Sequence, residues 1–232
     1  MMNTPYVKIC GITNWVDAMV AIEAGADLLG FNFFPKSPRY VEPEQVATII
    51  HDIREKVDTD KKMLVRTPKF VGIFVNESGT NISKVLAQTK IDYVQLHGDE
   101  KPADVAMFPT RAFKALRPSS PAAARSEAAA YASVGRRSVS DGRPGWLLDA
   151  YDPNEYGGTG KRADWHVAAE LARLYSGLLL AGGLTPDNVA DAIHTVLPWG
   201  VDVSSGVEES AGKKDHNKVR EFIRGAKSCL DN

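Results

Sequence analysis

The chain is poor in cysteine, with two in 232 residues, Cys10 and Cys229. Two thiols can pair, but they make no disulfide framework, and a reducing compartment, the cytoplasm, is the expected location. Long apolar runs are also missing. The longest are strand-sized, too short to span a bilayer. The first residues lack a basic stretch followed by a long apolar core, so no secretory signal peptide is expected. Neither charge dominates: 28 Lys and Arg against 29 Asp and Glu leave a formal net charge of -1. That balance offers no electrostatic attraction to nucleic acid or to an anionic membrane. No group of His, Cys, Asp and Glu has metal-ligand spacing, and no Ser–His–Asp order suggests a triad. His51, His166, His194 and His216 are given no chemical role. There is no internal linker and no low-complexity tail.

What is present is an ordinary globular composition, 44% hydrophobic, at a length that suits one α/β barrel. Apolar, β-rich runs recur at residues 6–10, 28–34, 70–75, 93–96, 112–116, 146–149, 178–181 and 201–203. Most are continuous in apolar character, as strands covered on both faces are. Helix-period stripes fall between them: Val46, Ile49, Ile50 and Ile53, then Val189, Ala192, Ile193 and Val196, then Val219, Phe222, Ile223 and Ala226. Pro43 suits a first helical position, and Thr185-Pro186 reads as an N-cap followed by N1. Asn14 or Thr13 can cap the first helix, and Gly25 can stop it. Eightfold β-α alternation predicts one closed (β/α)8 TIM barrel spanning residues 1–232 as a single domain. A doubly wound sheet more often carries a glycine-rich turn after strand one, and Gly11-Ile12-Thr13 is not such a turn.

Two stretches read as insertions, residues 54–69 and 135–145, both on the face of a barrel away from chemistry. The arginines of the second can form a small anion patch, but no aromatic platform for nucleic acid accompanies them. Residues 121–134 are alanine-rich and read as an exposed helix.

In such barrels the active site forms at the C-terminal ends of the strands, with phosphate bound after strands seven and eight. Cys10 closes the first strand. Lys8, two residues earlier, shares its face, and an ammonium there is expected to lower the thiol pKa toward neutrality. A small buried hydrophobe is the other reading of Cys10. Asp149 closes the sixth strand, as a loop cap or as a general acid whose pKa is raised by partial burial. Gly182-Gly183 and Ser204-Ser205-Gly206 follow strands seven and eight, where glycines and a short helix suit an anion. Arg39 lies in the long loop after strand two, His97 follows strand four, and Asp202 shares a strand face with Ser204. The loop 150–161 contains Gly157-Gly158-Thr159-Gly160-Lys161. It is not a P-loop, since Glu155 replaces the first glycine and Arg162 the Ser or Thr; a flexible lid is expected.

At these residues the chain resembles the phosphoribosylanthranilate isomerases over nearly its whole length. The resemblance rests on Lys8-Ile9-Cys10-Gly11-Ile12-Thr13, Gly30-Phe31-Asn32-Phe33-Phe34-Pro35-Lys36-Ser37-Pro38-Arg39-Tyr40 and Val71-Gly72-Ile73-Phe74-Val75-Asn76. It continues through Val94-Gln95-Leu96-His97-Gly98, Leu147-Leu148-Asp149 and Tyr156-Gly157-Gly158-Thr159-Gly160-Lys161. It ends with Gly182-Gly183-Leu184-Thr185-Pro186-Asp187-Asn188-Val189 and Val201-Asp202-Val203-Ser204-Ser205-Gly206-Val207-Glu208. The resemblance implies an Amadori rearrangement of N-(5-phosphoribosyl)anthranilate in tryptophan biosynthesis, without cofactor or metal. It implies Asp149 as general acid, Cys10 as general base and Arg39 as clamp for the anthranilate carboxylate. Gly182, Gly183, Ser204 and Ser205 would hold the phosphate, with Lys8, His97 and Asp202 in supporting roles. The partner implied is a small phosphosugar, with no nucleic acid or membrane, in a monomer or weak homodimer.

Three alternatives stand beside this. The related histidine-pathway isomerase uses aspartates for both acid and base, and Cys10 argues against it. Indole-glycerol-phosphate synthase depends on lysine and glutamate pairs that Lys8 alone does not supply. A non-catalytic phosphosugar-binding barrel would keep the turns but need neither Cys10 nor Asp149.

Overall fold

A computed structural model of the chain describes residues 4–59, 67–132, 134, 143–150 and 163–228. Cys229, the anticipated lid beyond Ala150, the insertion residues 60–66 and most of 135–145 lie outside the described residues.

Eight parallel strands close in sequence order: β1 (Tyr6–Cys10), β2 (Leu28–Asn32), β3 (Lys69–Phe74), β4 (Tyr93–Leu96), β5 (Ala112–Leu116), β6 (Trp146–Leu148), β7 (Leu178–Leu180) and β8 (Gly200–Val203). β1 pairs with β2 on one side and β8 on the other, with Lys8 opposite Leu28 and Asp202 respectively. The helices are α1 (Trp15–Ala24), α2 (Pro43–Thr59), α3 (Gly79–Thr89), α4 (Pro102–Ala106), α5 (Pro121–Ala132), α6 (Trp165–Leu174), α7 (Val189–Val196) and α8 (His216–Ser228). The chain is a (β/α)8 barrel, as the alternation predicts. No helix among the described residues is long and apolar enough to cross a membrane.

Period-two alternation sorts each strand between two cores. Leu28, Val71, Tyr93, Phe113, Ala115, Leu147, Leu179 and Ala181 fill the barrel interior. Tyr6 and Trp199 stack beneath them with ring centroids 4.2 Å apart, at the N-terminal end of β1. The alternate residues, such as Val7, Ile9, Leu29, Phe31, Leu178 and Leu180, face the helix layer. The expected stripes of α2, α7 and α8 are buried there.

Several boundaries shift for local reasons. β2 stops at Asn32, because Asn32 Oδ1 accepts from the Phe34 amide at 2.9 Å and turns the chain. Asn14, rather than Thr13, caps α1, accepting from Asp17 N at 2.9 Å. Gly25, at φ 99°, ends α1 in the left-handed conformation a glycine adopts freely. Thr185-Pro186 is not the cap and first residue of α7. It forms a turn closed by Val189 N to Thr185 O at 3.1 Å, and Asn188 holds the cap position. α2 runs to Thr59, so part of the first expected insertion is helix. α5 is not wholly exposed, since Ala124 and Ala128, four apart, are buried.

Beyond the short helix expected after β8, one element, a hairpin, was not expected. After β8, a 3-10 turn (Ser205–Val207) leads into a hairpin of β9 (Glu208–Ser210) and β10 (Lys213–Lys214), turned at Gly212 with φ 82°.

Candidate active site

The inward positions of the strands decide what reaches the mouth. Lys8 and Cys10 share the inner face of β1, Gln95 and His97 continue β4, Leu147 and Asp149 continue β6, and Asp202 and Ser204 continue β8. Each pair is two residues apart, so the lower member supports the upper.

Lys8 is fully buried, and its Nζ bonds Asp202 Oδ1 at 2.8 Å. Burial alone would push the ammonium pKa down, but Asp202 and Cys10 outweigh it and hold it above the ordinary lysine range. Cys10 is partly exposed at the rim. Its thiol is pushed up by burial, against the downward pull of Lys8 and Lys214 and with a further upward push from Asp202. The expectation of a thiol lowered toward neutrality is therefore corrected. Lys8 is where the sequence puts it, but Asp202 shares its charge and desolvation outweighs the remainder. Gly30 on β2 makes the space: a Cβ there would lie 3.0 Å from Cys10 Sγ and 3.1 Å from Lys8 Nζ.

Asp149 lies just past β6, its amide bonded to Leu116 O at 2.9 Å. Its side chain is 10% exposed, and Oδ1 accepts from Ala150 N at 2.8 Å. His97 Nε2 stands 3.4 Å from Asp149 Oδ2. Gln95 Nε2 lies 2.7 Å from His97 Nδ1. With that amide donating to Nδ1, the other ring nitrogen, Nε2, is the one nearest Asp149, though it makes no hydrogen bond among the described residues. Gln95 carries no role in the sequence reading, although its two-residue spacing from His97 was the available signal for this contact.

The turns after β7 and β8 meet backbone to backbone. Gly182 and Gly183 have φ of 87° and 64°, and Asn188 Nδ2 donates to Gly183 O at 2.9 Å. A Cβ at Gly206 would fall 1.9 Å from Leu184 O, so only glycine lets the second turn lie against the first. Ser204 Oγ is buried without a hydrogen-bond partner among the described residues. Ser205 opens the 3-10 turn beside it.

Arg39 reaches the same mouth but is held: its Nε lies 2.9 Å from Glu208 Oε1 and its Nη2 2.8 Å from Glu208 Oε2. Glu208 bonds Lys214 in turn. Neither was assigned a role from sequence, since their pairing depends on the unexpected hairpin. His216, given no chemical role, bonds Asp17 Oδ1 at 2.9 Å and anchors the start of α8. The arrangement thus joins a thiol, a carboxyl, a guanidinium and two tight turns around one opening. It can move protons on a phosphorylated substrate.

Comparison with known proteins gives a family. The model of the N-(5'-phosphoribosyl)anthranilate (PRA) isomerase family matches residues 7–225. The N-(5'-phosphoribosyl)anthranilate isomerase of Trichlorobacter lovleyi is 46% identical over 225 residues, covering 97% of this chain and 98% of that protein. The crystal structure of phosphoribosyl anthranilate isomerase from Thermotoga maritima superposes with a TM-score of 0.80 at 38% identity, covering 97% and 99% of the two chains. A phosphoribosyl anthranilate isomerase in complex with reduced 1-(o-carboxyphenylamino)-1-deoxyribulose 5-phosphate superposes with a TM-score of 0.76 at 35% identity and the same coverage.

Proposed function

Because the chain belongs to the N-(5'-phosphoribosyl)anthranilate isomerase family, we propose a division of labour among its residues for that isomerisation. The chain is an isomerase of tryptophan biosynthesis acting on a small phosphosugar. Its substrate carries a phosphate at one end and an aromatic carboxylate at the other. The turns of Gly182, Gly183, Ser204 and Ser205 take the phosphate, through backbone amides that glycine conformations leave accessible. Arg39 takes the carboxylate, its planar fork already oriented by Glu208.

With both ends fixed, the sugar lies between Asp149 and Cys10. Asp149 gives its proton to the furanose ring oxygen as the C–O bond breaks, and the nitrogen lone pair forms the iminium. His97 Nε2, 3.4 Å from Asp149 Oδ2, is near enough to stabilise the carboxylate that results. Cys10, as thiolate, then takes the C2 proton, and the C–H electron pair moves to neutralise the iminium as an enolamine. Tautomerisation gives the ketone. The thiol's raised pKa fits this order. The positive charge of the iminium forms beside Cys10 and favours its deprotonated form at that step. Lys8 and Asp202 form the polar floor beneath.

The observation that carries this reading is that Cys10 and Asp149 both project inward at the mouth that holds the two phosphate turns. All these residues come from one chain, so a monomer or weak homodimer suffices. The test is steady-state turnover of freshly made N-(5-phosphoribosyl)anthranilate. Cys10→Ala and Asp149→Asn are each expected to lower kcat by on the order of 100- to 10,000-fold with folding intact. Near-normal turnover in either variant removes that residue's role.

A further inference from the structure

Arg39, Cys10 and Ser204 stand after β2, at the end of β1 and after β8, and one hairpin ties all three. Lys214 is buried on β10. Its Nζ donates to Cys10 O at 2.6 Å, to Ser204 O at 3.3 Å and to Glu208 Oε1 at 2.8 Å. Three donors meet three acceptors, the full capacity of an ammonium. Glu208 faces Lys214 across the β9–β10 register and passes the link to Arg39 through two nitrogens. Thr13 Oγ1 donates to Gly212 O at 2.6 Å, pinning the hairpin's turn to the loop after β1.

We propose that Glu208 and Lys214 are positioning residues for the isomerisation: Glu208 sets the Arg39 fork for the substrate carboxylate, and Lys214 holds the Cys10 strand end against the Ser204 turn. This rests on the site assignment above. Both side chains are too deeply buried to meet substrate, at 4% and 0% exposure. Their effect passes through the groups they hold. A neutral residue at 214 leaves two carbonyls of the site, Cys10 O and Ser204 O, without their shared donor. A displacement of about 1 Å at such a group can cost on the order of 100-fold in rate.

The two residues have separable signatures. In Glu208→Gln the carboxylate partner of Arg39 is lost while Lys214 keeps its carbonyls. The KM for N-(5-phosphoribosyl)anthranilate is expected to rise about tenfold, the equivalent of about 1.4 kcal/mol. The inhibition constant of inorganic phosphate is expected to stay put. In Lys214→Met the phosphate inhibition constant is expected to rise and kcat to fall at least about tenfold. Glu208→Gln leaves the buried Lys214 ammonium without its carboxylate and risks unfolding, whereas Lys214→Met leaves Glu208 its two bonds to Arg39. The double variant Glu208→Gln/Lys214→Met removes the buried Glu208–Lys214 pair together, leaving only the guanidinium of Arg39, 12% exposed at the mouth, without that carboxylate, and is expected to fold and show both defects. A folded double variant with wild-type kcat and KM overturns the proposal. So does a Glu208→Gln that changes KM and phosphate inhibition by the same factor. Arg39→Ala separates the two layers. If it leaves KM unchanged, the carboxylate clamp itself falls; if it raises KM while Glu208→Gln does not, only the positioning role falls.

Discussion

Lys8 and Asp202 face each other across the seam that closes the barrel, 2.8 Å apart and aligned in register. The pair sits one layer below Cys10, so it acts on both stability and the thiol. Lys8→Met leaves Asp202 as an unpaired buried carboxylate. The expected cost in urea unfolding is about 3–5 kcal/mol. The thiol then loses a cation and gains an uncompensated anion, and both changes push its pKa further up. Alkylation of Cys10 is expected to require a higher pH than in the wild type. A midpoint at or below the wild-type value contradicts the role of Lys8.

The raised Cys10 thiol has its own pH signature. With its pKa raised, the thiol is mostly protonated at neutral pH, and as the proposed base it must be deprotonated to work. Accordingly, kcat/KM is expected to rise with pH through neutrality. In a Cys229→Ser background, the iodoacetamide rate is expected to keep climbing beyond about pH 8.5, the ordinary thiol midpoint. A plateau well below that value would show a thiol that burial does not control.

Gly30 is a packing requirement of the site. A methyl group there meets Cys10 Sγ and Lys8 Nζ at 3.0 and 3.1 Å, and both must give way. Gly30→Ala is expected to cost about 1–3 kcal/mol of stability, as overpacking does. Turnover should fall further than that stability loss explains, since the displaced groups are the proposed base and its neighbour. Circular dichroism melting together with kcat decides between the two effects.

Glu208 makes a pH prediction of opposite sign to that of Cys10. Burial pushes its carboxyl up, but Arg39 and Lys214 together outweigh burial and hold it below the usual range. A carboxylate depressed in the folded state contributes stability that is complete above its unfolded pKa of about 4.3 and is lost as pH falls through the folded value. The stability difference between wild type and Glu208→Gln is therefore expected to be level from about pH 6 to 8 and to shrink below about pH 4. A gap that widens in acid would reverse the assignment.

The barrel and most of its site are legible in the sequence because parallel strands announce themselves as short apolar runs. Polar residues at inward positions then stand out against them. Lys8, Cys10, Asp149 and Asp202 could be found that way. The direction of the Cys10 shift could not, since it is set first by burial, which only the closed barrel creates, and then by Asp202, which lies 194 residues from Lys8. The hairpin was hidden for another reason. Its strands have three and two residues and carry Glu208-Glu209-Ser210 and Lys213-Lys214, with no apolar alternation to read. Glu208 and Lys214 look like solvated surface charges until the fold buries them.

The shared register of β1 also bears on how the molecule can fail. Val7 and Ile9 belong to the helix-facing core, while Lys8 and Cys10 point into the lumen. A slip of one residue would exchange the two sets. It would thrust an ammonium into the apolar layer beneath the helices and strand Asp202 in the lumen. A barrel in which β1 is seated with its inner face reversed would therefore be strongly destabilised. Closure of the barrel seam and delivery of the Cys10 thiol to the mouth are thus one event.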